Sequence, residues 1–74
     1  MTLERIAKAY TDCIELEEHA SEISPELSEK AALLRADLHA LWMDALRQAG
    51  IHFSDRTHAA RMAFDIVKGK PITA

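Results

Sequence analysis

Ser24-Pro25-Glu26-Leu27-Ser28-Glu29-Lys30-Ala31-Ala32-Leu33-Leu34-Arg35-Ala36-Asp37-Leu38-His39-Ala40-Leu41-Trp42-Met43-Asp44-Ala45-Leu46-Arg47-Gln48-Ala49-Gly50 reads as one long helix with punctuation at both ends. The Ser24 hydroxyl can accept from a free first-turn amide, which makes it the N-cap. Pro25 suits the first helical position, where its missing N–H costs nothing. Glu26 and Glu29 set negative charge at the positive end of the helix dipole. Gly50 is the left-handed residue that ends the run, and Arg47 stands in its last turn. A helix over 25–49 is about 37 Å long at ~1.5 Å per residue.

This helix is apolar on two sides. Leu27, Ala31, Leu34, Leu38, Leu41 and Ala45 are spaced by fours and threes, as in a coiled-coil seam, and Trp42 and Ala49 widen it. On the other side lie Ala32, Leu33, Ala36, Ala40 and Met43. Narrow polar edges separate the two: Lys30, Asp37, Asp44 and Gln48 on one flank, Ser28, Arg35 and His39 on the other. Such a helix needs two neighbours.

The segment 3–23 supplies one of them. Leu3, Ile6, Ala7, Tyr10, Cys13 and Ile14 share a helical face. Beyond Ile14 the apolar positions Leu16, Ala20 and Ile23 move around the axis, and Glu17 falls where the first stripe would continue. The short link to Ser24 makes these two helices an antiparallel hairpin. Glu17, if buried, needs a cation across the hairpin, with Arg35 and Lys30 in position to supply it. A register-setting ion pair is the simpler reading, and a catalytic acid the sharper one.

A shorter third helix occupies 55–68. Ser54 is its expected cap, Asp55 favours its first turn, and Lys68-Gly69-Lys70-Pro71 closes it ahead of a 69–74 tail. Ala59, Ala60, Met62, Ala63, Ile66 and Val67 share one face, and Arg61 is spaced to pair with Asp65. Ile51 and Phe53, in the connector, are placed to plug the end of the core. Strand alternation and hairpin turns do not occur in the sequence.

The fold class is therefore all-α: a hairpin of two long helices plus a shorter third. Helix three, half as long as its neighbours, cannot cover the whole second side. In 74 residues the core is small, and self-association is a common remedy. The expected assembly is a homodimer resembling a four-helix bundle, with Ala32, Leu33, Ala36, Ala40 and Met43 at the dimer interface. The alternative is a monomeric three-helix bundle with an alanine-rich surface.

Composition restricts function. One Cys cannot form an internal disulfide, and two Gly, both at helix stops, cannot build a phosphate-cradling loop. Cys13 sits on an apolar face and reads as a small buried hydrophobe. Glu15 and His19 share a face at metal-ligand spacing, but two ligands do not make a site. His52 and His58 flank the start of helix three, where bonds to backbone or water are the ordinary role. The expectation is no enzyme, no metal and no cofactor. Glu4 stands where a secretory signal would carry basic residues, and the apolar runs are too short to span a bilayer, so the expected location is cytoplasmic.

Charge is uneven. Residues 1–30 carry 8 acids against 3 bases, and residues 31–74 carry 6 bases against 4 acids, for a net charge of -3. Glu15, Glu18, Glu22, Glu26 and Glu29 form an acidic elbow suited to a protein partner with a basic surface. The preferred expectation is a small regulatory or interaction protein acting through that face. The alternative is a DNA-binding regulator: the 46–68 segment has the rhythm of a helix-turn-helix, and Arg56, Thr57, Arg61 and Lys68 are the candidate contacts. Against it stands the acidic balance of the chain, and Arg56 occupies a position where a locking aliphatic residue is wanted.

Overall fold

The computed structural model describes residues 2–70. It consists of α1 (Leu3–Ile23), α2 (Pro25–Gln48) and α3 (Arg56–Val67). The closing Pro71 and the tail beyond it lie outside the described residues.

Local signals account for the ends. Thr2 Oγ1 caps α1 by accepting from the Arg5 N–H at 3.3 Å. Ser24 serves two helices at once. Its N–H donates to the Ala20 carbonyl at 3.1 Å, closing α1, and its Oγ accepts from the Leu27 N–H at 3.2 Å, opening α2. One extended residue thus reverses the chain, which fixes the hairpin tightly. The cap of α3 is Asp55, one residue later than expected: its Oδ1 accepts from the His58 N–H at 2.8 Å. His58 answers by accepting from the Ser54 N–H at its Nδ1, 3.0 Å away. The arrangement is like a capping box, but with imidazole in place of a carboxylate and the returning bond made to the residue before the cap.

The two glycines close α2 and α3 identically. Gly50 has φ +75° and Gly69 φ +78°. At the first, the Gly50 N–H donates to Arg47 and the Ile51 N–H to Leu46; at the second, Gly69 donates to Ile66 and Lys70 to Asp65. These are Schellman closures, which need a left-handed residue. A Cβ on Gly50 would touch nothing within 4 Å, so the cost of Gly50→Ala is conformational alone. We expect a loss of about 1 kcal/mol and a fall in Tm of about 5 °C, read from thermal unfolding; an unchanged Tm would contradict the assigned closure.

The core lies at one end of the hairpin. Ile6, Ala7 and Tyr10 of α1, Trp42 and Leu46 of α2, and Ala59, Met62 and Ala63 of α3 form it, with Ile51 and Phe53 packed at its edge as expected. Trp42 and Leu46 are fully buried, and the Trp42 indole N–H donates to the Ala59 carbonyl at 2.7 Å. That bond ties α2 to α3, although α3 packs chiefly on α1. The expected Arg61–Asp65 pair does not form; among the described residues the ion pairs are Lys8–Asp12, Lys30–Glu26, Arg35–Glu17 and Arg47–Asp44.

The other end of the hairpin has only two layers of backbone. The molecule is accordingly elongated, 39 × 23 × 21 Å. Ala20 and Ala31 are buried there between the helices, but Leu16, Ile23, Leu27 and Leu34 are not. The expected seam along α2 is therefore corrected. Ala31 is buried and Leu38 half-buried, yet Leu27, Leu34 and Leu41 are 42%, 50% and 47% exposed. α1 packs on the edge of α2 that carries Ala31, Leu38, His39, Trp42 and Leu46, roughly a quarter-turn away from the row of leucines.

Candidate functional site

The hairpin presents two grooves with no residue in common. One is polar: Ile14, Glu17, Glu18, Ser21, Ser28 and Arg35 line it. The Arg35 guanidinium bonds the Glu17 carboxylate across it, and both side chains are about one-third exposed. Arg35 is thus the cation that meets Glu17, while Lys30 pairs with Glu26 at 3.6 Å on the surface. The pair ties the middle of α1 to the middle of α2, as a register-setting contact does.

The second groove is apolar. Leu16, Ala20 and Ile23 of α1 face Leu27, Ala31 and Leu34 of α2 across it, and His19 and Lys30 stand at its rims. Leu16 is 54% exposed and Ile23 75%. With Leu41 this makes five large apolar side chains on one side of a small molecule, which is a feature of association surfaces.

The other residues singled out from the sequence are distributed as follows. On the face expected to dimerise, Leu33, Ala36 and Ala40 are exposed, Ala32 is half-buried, and Met43 packs against the core cluster. Its free part is narrower and made of smaller side chains than the leucine face. Glu15, Glu18, Glu22, Glu26 and Glu29 are all exposed. Glu15, Glu18 and Glu22 share one edge of α1 by their three- and four-residue spacing, and Glu26 and Glu29 continue the charge across the elbow. Arg56, Thr57, Arg61 and Lys68 are exposed as well. Thr57, Arg61 and Lys68 share one side of α3 by spacing, whereas the charge of Arg56 is felt inward, at Tyr10 and His39. The connector from Ala49 to Asp55 is also longer than the three or four residues of a helix-turn-helix turn.

Cys13 is buried, with its thiol 3.7 Å from the Ala31 carbonyl. Burial, followed by the nearby Glu17 charge, pushes the thiol pKa up, against a smaller opposing pull from Arg35. It is held as the unreactive thiol. Among the described residues no three His, Cys, Asp or Glu side chains converge to hold a metal ion. No described helix is long and apolar enough to cross a membrane.

One polar pair escaped the sequence reading. His39, assigned there to a wet flank of α2, is 6% exposed. Its Nδ1 lies 3.3 Å from the Tyr10 hydroxyl, and the two rings are tilted at 41° with centroids 5.1 Å apart. No hydrogen-bond partner meets its buried Nε2, although the Arg56 carbonyl is near enough to favour the charged ring weakly. Burial first, then the charges of Arg56 and Arg35, hold the imidazole below its ordinary pKa. The signal available in the sequence was position: His39 is three residues before Trp42 and seven before Leu46, on the edge of α2 that is buried most deeply.

No known protein family, curated protein or solved structure matches this chain.

Proposed function

We propose that this chain is a small non-enzymatic interaction protein that acts as a homodimer and uses its acidic edge to engage a basic surface on a protein partner. The observation that carries the reading is the exposed set Leu16, Ile23, Leu27, Leu34 and Leu41. Because these are about half exposed or more, leaving them so forgoes roughly 1 kcal/mol apiece relative to full burial. A short chain with a small core gains that free energy by covering them with another molecule. Sedimentation equilibrium tests the dimer. A species of 8.3 kDa at every concentration would refute it.

The acidic edge adds the second half. Glu15, Glu18 and Glu22 have no intramolecular ion pair among the described residues, so their field is directed outward. Charge on such a rim governs association rate and partner choice more than affinity. A tenfold rise in salt, spanning most of the change in screening length around physiological strength, should weaken binding to a basic partner several-fold, read by calorimetric titration. A salt-independent affinity would remove the electrostatic part and leave the apolar face.

DNA binding through α3 is the second reading, favoured only by the row Thr57, Arg61 and Lys68. A mobility shift on mixed duplexes at low salt tests it, and no shift eliminates it.

A further inference from the structure

We infer that the occupant of the apolar groove is a second copy of this chain, docked antiparallel so that α1 meets α1 and α2 meets α2 about a two-fold axis beside Leu16 and Leu34. The inference rests on the homodimer reading and specifies its face and register.

The exposed positions form two rows of seven-residue steps: Ala9, Leu16 and Ile23 on α1, and Leu27, Leu34 and Leu41 on α2. Seven-residue steps keep one side of a helix facing one neighbouring helix. No helix of the same chain uses these rows. The middle residues, Leu16 and Leu34, line one groove and lie at the same height in the hairpin. Each row is therefore centred on the same level. A two-fold axis across the helices at that level maps each row onto itself. Leu27 then meets Leu41 of the second copy, Ile23 meets the small Ala9, and the central leucines meet their own copies. Such isologous contact is the commonest symmetry of small assemblies.

The rim charges choose between this arrangement and its alternative. Asp12 and His19 flank Leu16, four residues before it and three after; Lys30 and Asp37 flank Leu34 in the same way. All four are exposed. The antiparallel operator sets Lys30 against Asp37 of the other copy, and Asp12 against His19, each contact occurring twice. If the hairpins instead pointed the same way, α1 would face α2 of the second copy. Asp12 would then oppose Asp37, and His19 would oppose Lys30. Lys30 meets a carboxylate in the first arrangement, whereas two carboxylates, Asp12 and Asp37, are opposed in the second, a difference that specifies register. Within one chain Asp12 is paired with Lys8 and Lys30 with Glu26, but both are exposed pairs four residues apart on a helix. Pairs of that kind hold their members weakly.

Sedimentation of the full chain and its charge-reversal variants tests the proposal. Lys30→Asp and Asp37→Lys should each raise the dimer Kd roughly tenfold, because each affects two symmetric contacts. The double variant Lys30→Asp/Asp37→Lys should return to within about threefold of the parent, since exposed charges act pairwise. The opposite docking predicts that Asp37→Lys tightens the dimer by relieving its repulsion with Asp12, and that result would overturn the proposal. Dimers that ignore both reversals and Leu34→Glu, yet dissociate on Ala36→Asp, would move the interface to the other side of α2 while leaving the homodimer reading intact. A parent that never dimerises would overturn both. The charge sites are exposed, so far-UV circular dichroism of each variant should match the parent.

Discussion

Trp42→Ala should remove about 3–5 kcal/mol of folding stability, a large share of what a chain this short has. The side chain is wholly buried where all three helices meet, and its indole N–H bonds the Ala59 carbonyl. Truncating a buried aromatic to alanine costs about 3–5 kcal/mol. A chain of 74 residues has a total stability of roughly 4–11 kcal/mol. Loss of the indole also releases α3, because Ala59, Met62 and Ala63 lose the surface they pack against. Trp42→Phe separates the contributions: it keeps most of the volume and removes the hydrogen bond, which contributes about 1 kcal/mol. Urea unfolding followed by circular dichroism should give midpoints in the order parent, Trp42→Phe, Trp42→Ala. A Trp42→Ala midpoint equal to that of the parent would show that the core is not centred on this residue.

The second large effect is acid sensitivity through His39. The imidazole is buried beside Tyr10 of α1, with Arg35 on its own helix and Arg56 of α3 as the charges around it. Burial keeps it neutral in the folded chain to lower pH than in the unfolded chain. Its contribution is therefore fully present above the unfolded pKa near 6.5. It is lost as pH falls from there through the depressed folded pKa, because only the unfolded chain then takes up the proton. One proton gives a slope of up to about 1.4 kcal/mol per pH unit in that window. The double variant Tyr10→Phe/His39→Phe removes the titrating group, the lone Nε2 and the hydroxyl that would otherwise be orphaned. Replacing both partners with apolar groups of similar shape can be nearly neutral. Its stability at pH 7 should fall within about 1 kcal/mol of the parent, with a flatter profile between pH 7 and 5. An equally steep acid loss in the double variant would assign that loss to other groups.

The three helices and most of their ends were legible because their signals are local. Ser24 and Pro25 announce a helix start by hydroxyl and ring chemistry, and Gly50 announces a stop by its freedom at positive φ. The cap of α3 was misplaced by one residue because Ser54 and Asp55 are both good caps. What decides between them is the His58 ring, which accepts from the Ser54 amide and leaves Asp55 to cap the helix. Arg35 for Glu17 was legible as one of two cations at the right height across the hairpin. The burial of His39 was not, since it depends on Tyr10, 29 residues away. The leucine row of α2 shows the limit most clearly. Its spacing states that a helix should lie against it, but spacing does not say whether that helix belongs to the same chain. Only the placement of α1 along the Ala31–Trp42 edge shows that Leu27, Leu34 and Leu41 are left exposed.

The solution mass of the unmodified chain, compared with that of Leu34→Glu across a concentration series, goes to the heart of this. The leucine face predicts that the parent converges on twice 8.3 kDa as concentration rises, while Leu34→Glu stays at 8.3 kDa with its helices intact. A parent that remains a single copy throughout, or a Leu34→Glu variant that dimerises as well as the parent, would contradict it.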